Sequence, residues 1–444
     1  MEINTDIAIL GAGLSGLAAA DRLKEGGKKI FILEKAEREG GLAATVSHKN
    51  FKFDLGGHRL YFKDADVKGR VEKLLGAGRT LYHKRKSSIY TRGRFLQYPP
   101  TLLNGIFYAL PTLRFKTHGT RKADEKSASL KDWLGRNFGP RIHDAYFKDY
   151  SLKAWGLPTE EISSIWAERR IGSLDLKKLF FDIFLPISGA KENAGHFLYP
   201  KDGIGSLTGA LRKKLTDRGE ILTGAIPLKL TAEGGRLTAL EFEQNGCRGT
   251  LKFRQLISTI PLKEFSALIR DNPELACAAR DLRYRSLIIV FLALKNRTPL
   301  KDHWVYFQDP DVPFSRASEL LNWSRGLVPE GFFPVTLEIF CQEDDKTWRK
   351  PDADIAAATF NALSAIKIFK GSELLDFKVE RLPFAYPLLY LGYEKSLNTV
   401  TGALGRYANL ELCGRSGAHS YYDMEECLLD ADRAAASAAG KPAG

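Results

Sequence analysis

Near the amino end, Gly11-Ala-Gly-Leu-Ser-Gly16 carries the spacing G-x-G-x-x-G, and the chemistry of that spacing is the holding of a pyrophosphate. Gly11 permits a tight turn, Gly13 lets the backbone approach phosphate oxygens, and Gly16 lets a helix pack closely on the strand before it. An apolar run at residues 6–10 precedes the turn and a helical stretch through Leu23 comes after it. Phosphates placed there would meet unpaired N–H groups at the positive end of a helix dipole. The spacing alone is a weak signal, and its context strengthens it. A second apolar strand at residues 29–33 ends in Glu34, about 20 residues past the glycines, where a carboxylate accepts hydrogen bonds from ribose hydroxyls. Other chemistries leave little trace. The five cysteines (Cys247, Cys277, Cys341, Cys413, Cys427) form no close pair and the eight histidines show no HExxH spacing, so neither a disulfide framework nor a metal site is expected.

The residues just after Glu34 narrow the choice of dinucleotide. Glu34, Arg38, Gly40 and Gly41 fall in the order E-x-x-x-R-x-G-G. This resembles the extended fingerprint of the amine oxidase, protoporphyrinogen oxidase and UDP-galactopyranose mutase superfamily. The resemblance implies FAD, bound non-covalently along Gly11, Gly13, Leu14, Ser15, Gly16, Glu34, Lys35, Arg38, Gly40, Gly41 and Leu42. Far along the chain, residues 409–413 read as a strand, Gly414-Arg415 as a turn, and residues 422–439 as a helix with apolar positions at helical spacing. In the superfamily such a segment closes the cofactor site, which implies contacts from Gly414, Arg415, Asp423 and Met424. The run LISTIPL at residues 256–262 is similar to the strand that leaves the cofactor domain; read alone, it is a buried strand ended by Pro261.

Between these pieces the chain resembles UDP-galactopyranose mutase more than the amine oxidases. The run FDLGGHRLYF at residues 53–62 looks like the mutase loop beside the flavin, which implies cofactor contacts from Gly57 and His58. QYPP at residues 97–100 is similar to the mutase Tyr-Pro. DYSLKAWGLP at residues 149–158 repeats the mutase separation of Tyr150 and Trp155, and GRSGAHSYYDM at residues 414–424 repeats the spacing from Gly-Arg to Tyr-Tyr-Asp-Met. Arg170 stands four residues after Trp166, and Arg316 lies in FSRAS, as two mutase arginines do. Tyr150 and Trp155 offer flat faces suited to a nucleobase and sugar, and a guanidinium fork suits a diphosphate. The resemblance therefore implies Arg170, Arg316 and Tyr421 on a diphosphate, Tyr150 and Trp155 on the nucleoside end, Arg415 close to the flavin, and His58 on the flavin loop. One departure is plain: mutases place an aromatic and a basic residue before Tyr-Tyr-Asp-Met, whereas His419-Ser420 stands here.

Two activities are consistent with these residues. A mutase-like enzyme would act on a UDP-sugar through reduced flavin with no net redox change, NAD(P)H serving as an external reductant. An oxidoreductase of the amine oxidase or protoporphyrinogen oxidase type would take a hydride from a small-molecule substrate, its arginines binding a carboxylate or phosphate. The lysine that amine oxidases place near the flavin is not identifiable. The run at residues 385–397 also resembles bacterial FAD-dependent oxidoreductases related to protoporphyrinogen oxidase.

The elements that must position these residues are expected in an α/β architecture: a Rossmann-like FAD-binding domain of the amine oxidase and UDP-galactopyranose mutase type, a β-sheet substrate domain and a helical insertion. Residues 1–98, 196–262 and 400–444 form the discontinuous cofactor domain, 99–195 the insertion and 263–399 the substrate sheet. A length of 444 residues exceeds one ordinary core, and 44% hydrophobic with 27% charged residues is ordinary globular usage. The longest apolar run, residues 287–294, is too short to span a bilayer, and the first residues lack a signal peptide's pattern, so a cytoplasmic protein is expected. Net charge is +13 with the basic residues dispersed, which suits an anionic partner such as a diphosphate, a nucleic acid or an acidic lipid surface. No nucleic-acid module accompanies them. Aromatic and aliphatic residues beside Lys and Arg at 102–113 and 179–187 could touch a membrane surface, although packed helices with charged flanks explain them as well. The sequence does not specify an oligomeric state.

Overall fold

In the computed structural model the described residues are 1–98, 128–140, 143–170, 195–215, 219–297 and 299–440. Every residue of Ile7–Leu10 and Ile30–Leu33 is buried, as strands inside a parallel sheet must be. They lie at the centre of a five-stranded parallel sheet ordered Gly219–Leu222, Ile30–Leu33, Ile7–Leu10, Gln255–Ser258, Leu410–Leu412. Alternation along each strand assigns residues to layers. Ile7, Ile9, Ile30 and Ile32 pack on the helices Leu14–Leu23, Gly205–Lys213 and Met424–Gly440. Ala8, Leu10, Phe31 and Leu33 face Leu240, Phe242 and Leu251 of a four-stranded sheet ordered Glu2–Asn4, Cys247–Lys252, Arg236–Gln244, Ala225–Glu233. The last helix is pinned to the first by Arg22, whose Nε donates to Asp432 at 2.7 Å, and Arg70 reaches the same carboxylate at 2.8 Å.

A second, seven-stranded sheet runs Glu373–Pro387, Tyr284–Lys295, Val335–Cys341, Arg316–Glu319, Trp304–Phe307, Ser87–Thr91, Arg94–Gln97. Its neighbours are antiparallel except for Trp304–Phe307 beside Ser87–Thr91. The hairpin of Ser87–Thr91 and Arg94–Gln97, grouped with the cofactor domain on sequence, is hydrogen-bonded into this larger sheet. Its partner strand lies more than 200 residues downstream in a pairing that nothing local encodes. Among the described residues of 99–195 the helices are Leu130–Phe138, Lys148–Trp155 and Ser164–Arg170, with a π-turn at His143–Phe147. The expected segments at 102–113 and 179–187 lie outside the described residues. Among the described residues, no helix is long and apolar enough to cross a membrane.

Candidate cofactor and substrate site

Three segments distant in sequence interlock at the dinucleotide turn. A Cβ on Gly16 would collide with the Gly11 carbonyl oxygen, so helix and strand can approach only because that position is glycine. Gly13 forms a bridge with Gly40, whose N–H donates to the Ala12 carbonyl at 2.8 Å. A side chain on Gly414 would strike the buried Ser15 hydroxyl, which brings the carboxy-terminal turn against the same helix start. Leu14 is buried in that start. The first turn of Leu14–Leu23 carries no acidic residue and its N-cap no capping side chain, leaving N–H donors for an anion. Glu34 accepts from the N–H groups of Ala12 at 2.7 Å and Ala36 at 2.8 Å, and a carboxylate so held retains lone pairs for hydroxyl donors. The donor set and the clearances fit a dinucleotide with its pyrophosphate at the helix start.

Other residues named from sequence are engaged elsewhere. Arg38 donates to Glu380 of the seven-stranded sheet at 2.7 Å, and exposed Lys35 lies 3.8 Å from Glu264. Leu42 packs half-buried against the cluster that holds Phe53 and Phe291. Asp423 accepts the Glu426 N–H at 3.0 Å and so starts the last helix, while Met424 is buried beneath it.

The aromatic residues read as substrate-binding converge at the junction of the larger sheet, the helices and the carboxy-terminal turn. Trp155 meets Tyr421 edge to face at 5.7 Å, Tyr421 stacks on Tyr386 at 5.5 Å, and the Arg415 guanidinium lies 5.4 Å from the Tyr386 ring and 5.7 Å from that of Tyr421. Tyr150 meets Tyr306 edge to face at 6.0 Å, and Tyr306 meets Tyr98 at 5.8 Å. Arg285 fixes the helix that carries Tyr150 and Trp155: its Nε donates to the Ala154 carbonyl at 2.9 Å and its Nη2 to Lys153 and Phe340 at 3.3 and 3.1 Å. The helix ends at Gly156 in a left-handed conformation, φ 69°, as a C-terminal glycine commonly does.

Arg316 pairs with Glu338 directly across the sheet. Its Nε donates to Glu338 Oε1 at 2.7 Å, and its Nη2 donates to Oε2 in a second short bond. Burial opposes charge on Arg316, yet the Glu338 carboxylate holds the guanidinium well above its ordinary value. Glu338 Oε1 also accepts the Gly57 N–H at 3.2 Å, tying the Gly56-Gly57-His58 loop to the same strand. Gly56 holds φ 112°, a conformation that glycine accommodates. The ring Nδ1 of His58 lies 3.1 Å from the Gly56 carbonyl, which can only accept, so Nδ1 carries the proton and Nε2 is an acceptor. Burial, then the charges of Arg415 and Arg316, push His58 down to about 4 against the opposing pull of that carbonyl. His58 is neutral at physiological pH. Burial raises the Tyr306 hydroxyl, but Arg316, Arg85 and Arg59 together bring it below the ordinary phenol value, whereas burial and then Tyr306 hold Tyr150 well above it.

The structure thus brings together His58, Tyr150, Trp155, Arg316, Arg415 and Tyr421. Arg170 ends the helix Ser164–Arg170, and its side chain lies outside the described residues, as do Pro99 and Pro100. Sequence reasoning passed over Glu338, Tyr306 and Tyr386. Glu338 does leave a signal: it is the one carboxylate in the otherwise apolar or neutral run Val335–Cys341, and it is 1% exposed. His419, standing where mutases carry a base, is buried edge-on to Tyr284 at 4.9 Å and adds no charge to the cleft. A polar groove of about 550 Å³ opens elsewhere, lined in part by Arg38, Thr45, Lys52, Asp202 and Thr208. Its lining has no aromatic residue.

Comparison with known proteins shows the same division between fold and substrate. The chain resembles a reduced UDP-galactopyranose mutase with a TM-score of 0.79 at 23% identity, covering 97% of this chain and 94% of that one. A redesigned putrescine oxidase gives 0.67 at 16% identity over 99% and 100% of the two chains. Protoporphyrinogen oxidase 2 of Arabidopsis thaliana is 24% identical over 286 residues, 63% of this chain and 51% of the relative. Flavin-containing amine oxidase B of Homo sapiens is 29% identical over 116 residues, 24% of this chain and 22% of its own. The chain therefore spans about half the length of the plant relative in that match, and the likeness to solved structures speaks to fold. Residues 14–439 match the flavin-containing amine oxidoreductases, from the first turn of the dinucleotide helix to the end of the last helix. On a match that takes in nearly all of the chain, the protein belongs to the flavin-containing amine oxidoreductase family, which implies a flavin cofactor.

Proposed function

We propose that this protein is an FAD-dependent enzyme acting on a small anionic substrate, a nucleotide sugar in the manner of UDP-galactopyranose mutase. The observation that carries the reading is the convergence of Tyr150, Trp155 and Tyr421 with Arg316 and Arg415 beside a neutral His58. In this reading Gly11, Gly13, Gly16, Glu34, Gly40 and Gly414 hold FAD. The bound flavin supplies the electron-rich or hydride-accepting centre. Tyr150 and Trp155 cover the flat nucleoside end. Arg316, Tyr421 and the side chain of Arg170 orient the diphosphate by charge-assisted hydrogen bonds. His58, with Nε2 unprotonated, accepts a hydrogen bond rather than giving a proton. The test is anaerobic incubation of dithionite-reduced protein with UDP-galactopyranose and UDP-galactofuranose, separating the products chromatographically. Interconversion by reduced protein alone is the expected result.

The oxidoreductase reading is favoured by one feature, the neutralisation of Arg316 by Glu338, since an arginine already paired is a weaker diphosphate ligand than an unpaired one. Hydrogen peroxide formed in step with oxidation of a reduced ring compound or an amine, with no isomer from any UDP-hexose, would establish that reading in place of the first.

A further inference from the structure

Arg316 has a counter-ion within the fold. The fork to Glu338 uses Nε–H and one N–H of Nη2, and a guanidinium has five N–H groups, so both on Nη1 and one on Nη2 remain for other partners. The pairing is set by register, Arg316 standing opposite Glu338 on adjacent strands, and the carboxylate is further fixed by the Gly57 N–H. Glu338 is shut from solvent, while the Arg316 side chain keeps 17% exposure and its charge reaches Tyr150, Tyr306, Tyr386 and His58. The guanidinium therefore faces the cleft with its charge already balanced from behind.

We propose that Glu338 is a specificity-determining residue that keeps Arg316 in a neutral pair, so that the cleft discriminates against simple anions and accepts a ligand able to engage Arg316 and Arg415 together. This rests on the reading of the cleft as an anion site. A carboxylate one ion-pair length behind a guanidinium offsets about tenfold to a hundredfold of anion affinity at an effective dielectric constant of about 20. Glu338 acts through Arg316 and is a positioning residue, without contact with the reacting atoms.

The test uses FAD-loaded protein and calorimetric titration with UDP and with inorganic pyrophosphate at several salt concentrations. Glu338→Gln keeps an acceptor for Gly57 but removes the charge. It should bind pyrophosphate at least about tenfold more tightly and UDP more tightly by a smaller factor, with a steeper salt dependence. Adding Arg316→Gln should abolish that gain and return pyrophosphate affinity to within about tenfold of wild type, because one neutral pair replaces another, while UDP, which engages Arg316, binds more weakly than to wild type. A purely structural Glu338 would not give this cycle. Unchanged or weaker binding by Glu338→Gln that retains FAD overturns the proposal, as does failure of every variant to bind either probe. Should Glu338→Gln fail to fold, the double variant alone decides, a hundredfold loss of pyrophosphate affinity meaning that Arg316 acts as an uncompensated charge. Pyrophosphate tightening without any UDP binding would sink the nucleotide-sugar reading and keep the counter-ion; UDP binding by wild type that ignores Glu338→Gln would do the reverse.

Discussion

Glu34 serves its own turn as well as any ligand, since both carboxylate oxygens already accept backbone N–H groups. Glu34→Ala should therefore weaken FAD retention by about 1.5–3 kcal/mol, read as loss of the flavin's visible absorbance on dilution and dialysis. Full retention would place the ribose elsewhere. The two glycines before His58 separate backbone strain from clearance. At Gly56, with φ 112°, alanine should cost about 1–3 kcal/mol of stability. At Gly57 an added Cβ meets Trp323 at 3.7 Å and Arg316 at 3.8 Å, ordinary contacts, so Gly57→Ala should keep the fold. If the loop lies flush against the flavin, that variant should release FAD more readily; equal retention would remove Gly57 from the cofactor surface. Glu34 was legible because strand, turn and carboxylate are neighbours in sequence. Glu338 and Tyr386 were not, because each reaches the cleft through a strand register that only distant pairing sets.

At the scale of elements, the helix Lys148–Trp155 depends on Arg285, whose side chain answers carbonyls at the helix end and on the neighbouring strand. Arg285→Met should destabilise the protein by roughly 3 kcal/mol, since one buried and two part-buried carbonyls lose a charged donor, and thermal melting measures it. It should also raise substrate KM through displaced Tyr150 and Trp155, whereas an unaltered melting temperature would mean that water replaces the guanidinium. The dinucleotide elements were readable from short apolar runs joined to glycine turns. The hairpin of Ser87–Thr91 and Arg94–Gln97 was not assignable to its sheet, because its pattern is equally at home beside either one and the partner strand Trp304–Phe307 decides.

Across the whole molecule, buried titratable groups set the response to acid. Burial, then the neighbouring His83, pushes His303 down to about 4, and burial alone dominates at His419, also at about 4, against 6.5 for an ordinary imidazole. Between those values the unfolded chain binds the extra protons, so stability falls as pH drops through 6.5 towards 4, by up to roughly 3 kcal/mol for each histidine. Asp54 works in the opposite sense: burial raises it to about 6 from 3.8, so the folded state holds its proton more tightly and gains stability as pH falls through 6. With His58 these make three histidines against one aspartate, and melting temperature measured from about pH 7 to about pH 4.5 should decline; a rise would mean that the histidines accept protons in place. The arrangement of the cofactor sheet reaches further than its thermodynamics. Its central strands Ile7–Leu10 and Ile30–Leu33 leave the ribosome long before the edge strand Leu410–Leu412 and the helix Met424–Gly440 that covers Leu14–Leu23. During synthesis the first half of the nucleotide cradle must wait, open, for segments hundreds of residues downstream, and cofactor capture becomes a late event in the making of the domain.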